Sequence, residues 1–190
     1  MRLFIAINLL EHQKQELHRL QQRLQVHLQG VKWVSPVGMH ITLKFLGEVN
    51  PKLLPKIAAA IGRVAASAFS FDFRLRGLGV FPNPSRAKVI WTGMLEGCPQ
   101  TEALFSRLER ELAPLSFLKE SRKYIPHLTL GRVRYPVPRD NLVRVLNQEK
   151  EFATASGKID KIVLYQSCLS RQGAKYKPLI EKYLLENKGK

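Results

Sequence analysis

Two tripeptides of one kind stand far apart in this chain: His40-Ile41-Thr42 within "GMHITLKFLG" and His127-Leu128-Thr129 within "IPHLTLGRVR". Strand side chains alternate between faces, so a histidine and a threonine two residues apart point the same way, about 6–7 Å from each other. Leu43 and Leu130, which follow each pair, then fall on the opposite face and suit packing. If the fold brings both polar edges to one cleft, that cleft holds two imidazoles and two hydroxyls. The set has no serine-histidine-acid trio, no cysteine close in sequence, and none of the carboxylates that a magnesium or two-metal site needs. It suits acid–base chemistry on a phosphodiester. A neutral histidine takes a proton from an attacking water, a protonated one gives a proton to the departing oxygen, and the hydroxyls donate to the non-bridging oxygens. An unperturbed imidazole pKa of about 6.5 lets both protonation states exist near neutrality.

The elements that must position these groups follow from local pattern. "RLFIAINL" from Arg2 is rich in β-branched and aromatic residues and predicts a strand. Leu17, Leu20, Leu24 and Leu28 form one stripe of a helix from Glu11 to Leu28, stopped by Gly30. "VKWV" predicts a short strand, Pro36 to Gly38 a turn, and "HITLKFLG" the next strand. Asn50-Pro51 opens a helix through about Ala66, with Pro55 leaving its start open. "FSFDFRLRGLGV" alternates as a strand, "FPNPS" is a turn and "AKVIWTGML" another strand.

There the pattern restarts. Val89 precedes His127 by the same interval as Arg2 precedes His40. A helix over Pro99–Leu115, with Leu104, Leu108 and Leu112 on one face, leads to the second histidine strand. A helix over Arg139–Leu146 and strands at about Ile159–Leu164 and Tyr176–Ile180 follow, and the closing "ENKGK" reads as a frayed end. The expectation is one α+β domain over residues 1–190, bilobal, with internal repeats of roughly 1–88 and 89–185. Two antiparallel sheets face a central cleft and carry helices on their outer faces.

The charge narrows the partners. Lys and Arg number 31 against 15 Asp and Glu, a formal +16, and a field of that sign attracts polyanions, nucleic acid above all. Cys98 and Cys168 belong to no CxxC or Cys/His cluster, which excludes a zinc ribbon and a disulfide framework and fits a reducing compartment. The apolar start is too short and too soon followed by charge for a signal peptide, and no stretch approaches a membrane span. A cytoplasmic monomer without membrane contact is expected.

The paired "HITLKFLG" and "HLTLGRV", with "RLFIAINL" before them and "GLGVFPNPSRAKVIW" between, resemble the two-histidine (2H) phosphoesterase superfamily. Within it the chain is most similar to the RNA 2′,3′-cyclic phosphodiesterase family, historically named 2′-5′ RNA ligase. The similarity runs from Arg2 through "LYQSCLSRQGAKYKPL", nearly the whole chain. It implies a bilobal fold and hydrolysis of RNA 2′,3′-cyclic phosphate ends to 2′-phosphomonoesters without metal or other cofactor. Reversible 2′-5′ joining is implied as a minor activity. It also implies roles: His40 as proton donor, His127 as proton acceptor, and Thr42 and Thr129 as phosphate ligands. Arg132 is implied as a further phosphate ligand. Arg132 lies five residues after His127, an odd step that turns it away in a regular strand, unless Gly131 permits a bulge that turns it back.

Other residues have two readings. His12, His18 and His27 on the first helix read as surface, and Phe45 by parity reads as core, with base stacking the lesser alternative. Trp33 and Tyr124, each near a motif, divide evenly between base stacking and plain packing. Arg86, Lys88, Arg122 and Lys123 either line an RNA path or are solvated charges. Three functions stay open: the RNA-end phosphodiesterase, an enzyme of the same chemistry on a small cyclic nucleotide, and a basic RNA- or nucleotide-binding module without catalysis.

Overall fold

The computed structural model describes residues 1–170 and 173–187, so the last three residues of the "ENKGK" end lie outside it. In chain order the elements are β1 (Arg2–Asn8), α1 (Glu11–His27), β2 (Val31–Trp33), β3 (His40–Glu48), α2 (Leu54–Ala65), β4 (Phe71–Phe81) and β5 (Val89–Glu96). They continue with α3 (Cys98–Leu112), β6 (His127–Val133), α4 (Arg139–Gln148), β7 (Gly157–Ile159), β8 (Lys161–Ser170) and β9 (Gly173–Tyr183). The predicted α2 start resolves into two parts. Asn50 caps a short 3₁₀ turn by accepting from the Lys52 amide, and Pro55 sits in the first turn of the helix proper, where no amide partner is needed. The strand expected at Ile159–Leu164 is the junction of β7 and the much longer β8.

The fold is α+β, with antiparallel strands in the order β7-β4-β5-β6-β3-β1-β8-β9 and β2 added to the edge of β6. Helices α2 and α3 pack together behind the β3-β1-β8-β9 half, and α1 and α4 lie behind the β5-β4 half. The predicted helical stripes form the core: Leu17, Leu20 and Leu24 of α1 and Leu104, Leu108 and Leu112 of α3 are all fully buried against the outer face of the sheet.

The chain segments 1–88 and 89–185 do not each build one half. β4 leaves the first segment to pair with β5 and β7, while β8 leaves the second to pair with β1. The trio β4-β5-β6 thereby matches β8-β1-β3 in pairing and direction. One counterpart is missing: β2 has no equivalent, because residues 116–126 between α3 and β6 form no strand.

Candidate active site

The two histidine strands meet. β3 and β6 pair antiparallel at Ile41 opposite Leu128, each the residue that follows a site histidine, and both are fully buried on the helix side. Continuing this register puts His40 across from Thr129 and Thr42 across from His127, all four on the inner face. The histidines are then diagonal neighbours, about 7–8 Å apart, across the pseudo-two-fold axis. All four residues are part-exposed, unlike the leucines and isoleucine that alternate with them.

Both imidazoles are held the same way. His40 Nδ1 lies 2.8 Å from the Gly38 carbonyl, and His127 Nδ1 lies 2.6 Å from the Ile125 carbonyl. A carbonyl accepts only, so Nδ1 carries hydrogen and Nε2 is the nitrogen left able to exchange a proton. Aromatic rings brace each one. Phe4, at 4.8 Å, and Tyr176, edge-on at 5.0 Å, flank His40, while Phe81, edge-on at 5.0 Å, and Trp91, at 6.0 Å, flank His127. Trp91 in turn lies over Gly79, where any Cβ would sit 2.2 Å from its ring. Strand periodicity gave no sign of these walls; Phe4 stands on the inner face among the core residues Leu3 and Ile5 of the same strand.

Burial lowers the proton affinity of both histidines. His40 falls to about 4, chiefly through desolvation, with the Arg132 charge adding to the fall and the Gly38 hydrogen bond opposing it. His127 is lowered for the same kinds of reason, its opposing bond being to Ile125. Both imidazoles are therefore neutral at pH 7.

The Arg132 effect on both rings places this guanidinium within electrostatic reach of each, and the register explains how. Between β5 and β6, Ile90 pairs with Gly131 and Trp91 with Thr129, so Leu130 is an extra residue and β6 bulges. The bulge reverses parity, and Arg132 returns to the face of His127, as Gly131 had suggested. Gly131 is required there, since a Cβ would lie 2.6 Å from Val31 Cγ1 and 3.0 Å from the Trp33 ring. The carbonyl of Leu130, freed from the ladder, accepts from the Val34 amide at 2.9 Å and from Gln21 Nε2 at 2.8 Å. Gln21 also donates to the Val34 carbonyl at 2.7 Å. This buried amide on α1 pins the bulge. Its sequence signal was a glutamine directly after Leu20, on a stripe of leucines.

β3 carries the matching bulge. Ile5 pairs with Lys44 and Ala6 with Thr42, leaving Leu43 as the extra residue. Phe45 therefore occupies the place that corresponds to Arg132. It is not core, as parity predicted, but 67% exposed and on the inner face beside Phe4. The Lys44 ammonium turns to the helix side and pairs with Glu109.

Trp33 and Tyr124 are packing residues. Trp33 pairs with Gly131 on the side away from Arg132 and packs on the core, while Tyr124 stacks on Phe105 and donates to the Thr42 carbonyl at 2.9 Å. Arg86, Lys88, Arg122 and Lys123 are all exposed. Lys32, directly opposite Arg132 in the β2–β6 pair, adds a cation on the inner face that the sequence pattern did not single out. Among the described residues no three His, Cys, Asp or Glu side chains group as a metal site, and no helix is long and apolar enough to cross a membrane.

The model of the LigT-like phosphoesterase family matches residues 7–91 and 96–176. The chain belongs to the LigT-like phosphoesterase family. This phosphoesterase is 34% identical to a Methanothermobacter thermautotrophicus protein named RNA 2′,3′-cyclic phosphodiesterase, over 92% of its own length and 94% of that protein's. A protein of the same name from Aeropyrum pernix is 37% identical over 80% and 85% of the two chains. The crystal structure of a Thermus thermophilus protein superposes with a TM-score of 0.82 at 27% identity, covering 98% and 100%. Escherichia coli LigT in complex with 3′-AMP has the same fold, with a TM-score of 0.77 at 24% identity over 96% and 97%.

Proposed function

We propose that this phosphoesterase hydrolyses 2′,3′-cyclic phosphates at RNA ends to 2′-phosphomonoesters by metal-independent, two-histidine acid–base catalysis. The observation that carries the reading is the pair of imidazoles, each pinned through Nδ1 to a backbone carbonyl and disposed diagonally about Ile41 and Leu128. The names of its relatives support the substrate class. In the step, Nε2 of His127 takes a proton as the water oxygen bonds to phosphorus. The P–O3′ bond breaks, and Nε2–H of His40 protonates O3′. The product is a 2′-phosphate beside a free 3′-hydroxyl, and solvent returns the proton from His127 to His40. Thr42, Thr129 and Arg132 hold the non-bridging oxygens, whose charge is what in-line displacement must stabilise. If an RNA 5′-hydroxyl replaces water, the same step makes a 2′-5′ linkage, and its reversal cleaves one. The chain acts as a cytoplasmic monomer on RNA, its basic charge gathering the substrate.

The decisive experiment is incubation of a short RNA ending in a 2′,3′-cyclic phosphate with the protein in excess EDTA. The expected product is the 2′-monoester. A 3′-monoester, or activity only with an added divalent cation, overturns the assignment.

A further inference from the structure

The missing counterpart of β2 leaves an opening at the edge of the site. On the β6 side, β2 covers residues Gly131 to Val133. On the β3 side the corresponding edge, from Phe45 to Glu48, pairs with β1 alone among the described residues. A groove of about 460 Å³ occupies this gap, walled by Phe45 to Asn50 on one side and Leu115 to Leu118 on the other. That volume lies in the range of roughly 300–1,000 Å³ typical of small-molecule sites.

The groove is continuous with the catalytic face. Phe45 stands at its mouth, 6.1 Å from Phe4, which packs on His40. Its far wall carries Leu118, 90% exposed, and Phe45 itself is 67% exposed. This wall is fixed in place. The buried Lys44 ammonium pairs with Glu109 and donates to the Leu118 carbonyl at 2.8 Å, and Glu109 also accepts from the Glu120 amide at 3.2 Å. An apolar surface kept in water beside the two histidines, along a β3 edge that has no strand partner among the described residues, is what an unstacked nucleobase requires. Lys119, Arg122 and Lys123 on the same segment are exposed and supply positive charge for the strand's phosphates.

We infer that this groove receives the nucleotide immediately 5′ of the cyclic-phosphate terminus, its base lying between Phe45 and Leu118. The inference rests on the phosphodiesterase reading, in which His40 serves O3′ and so keeps the terminal ribose on this side of the cleft. The groove has room for one nucleotide, so the gain in turnover comes between a mononucleotide and a dinucleotide substrate and changes little beyond.

The test compares kcat/KM for adenosine 2′,3′-cyclic phosphate with that for ApA ending in the same cyclic phosphate. A third substrate is the same dinucleotide lacking its 5′ base. The expected preference for the intact dinucleotide is about ten-fold or more, the scale of one base stacked on an aromatic ring. It falls to near unity for the abasic dinucleotide and in Phe45→Ala and Leu118→Asp. Val26→Asp, which adds the same charge on exposed α1, leaves it intact. Equal turnover of mononucleotide and dinucleotide by the unaltered protein overturns the inference alone, as does a Leu118→Asp variant that keeps the preference. Loss of a dimer in size-exclusion chromatography on Leu118→Asp, with the preference kept, assigns the groove to a second copy and likewise overturns it. Hydrolysis of none of the three substrates overturns the phosphodiesterase reading itself.

Discussion

Ile41 and Leu128 face each other where the two halves of the sheet join, and each directly follows a site histidine. Their pairing converts two distant sequence motifs into one square of His40, Thr129, His127 and Thr42. Because opposed residues in an antiparallel pair share a face, one backbone register sets the spacing of both imidazoles.

In the proposed mechanism, replacement of either histidine by alanine removes one proton transfer. His40→Ala and His127→Ala each reduce kcat on a cyclic-phosphate RNA by about 10²–10⁴-fold, with RNA binding retained. A substrate with sulfur in place of the bridging O3′ leaves without protonation. It restores turnover to His40→Ala and not to His127→Ala, and rescue of the opposite variant reverses the two roles.

Arg132 lowers the proton affinity of both histidines, so its removal raises both. The proposed mechanism needs one neutral and one protonated imidazole. Depressed values put the kcat/KM optimum of the unaltered protein on the acid side of about 6.5, falling as pH rises through neutrality. Arg132→Gln moves this bell to higher pH while weakening phosphate binding. A lower kcat/KM with an unmoved pH profile would place Arg132 outside the electrostatic reach of the rings.

Gln21 acts through the bulge. In Gln21→Leu the Leu130 carbonyl keeps the Val34 amide, but the Val34 carbonyl loses the glutamine's donated hydrogen bond. The expected loss of stability is about 1–3 kcal/mol by urea unfolding. A second effect separates positioning from packing: the pH optimum shifts in the same direction as in Arg132→Gln, because the guanidinium is no longer aimed at the imidazoles.

Lys44→Met leaves the Glu109 carboxylate buried without its partner. Destabilisation of about 3–5 kcal/mol is expected, and Lys44→Met with Glu109→Leu recovers much of it. A double variant no more stable than the single one would show that the pair does not hold this region together.

Stability also depends on pH through His40. Its folded value of about 4 lies below the ordinary 6.5, so the unfolded chain binds the proton more readily. Stability is full above about 6.5 and declines as pH falls toward 4, by on the order of 1–3 kcal/mol. His40→Gln makes that part of the stability–pH curve shallower, the lowered His127 accounting for slope that remains.

The local facts are legible in the linear chain. The leucine stripes of α1 and α3, the alternation around both His-x-Thr strands and the matched intervals before them are one-dimensional, and each side chain's face follows from the period of its own element. Gly131 even marked the bulge, since a residue without Cβ is what a close approach by Val31 and Trp33 demands. Its twin at Leu43 carried no glycine, so parity sent Phe45 to the core when the structure sends it to the cleft. The exchange of β4 and β8 between halves, the register at Ile41 and Leu128, the aromatic walls and the Gln21 bond arise only in the assembled fold. All of these depend on contacts between residues far apart in the chain. No local period encodes such contacts, because the free energy that selects them comes from burying several elements at once.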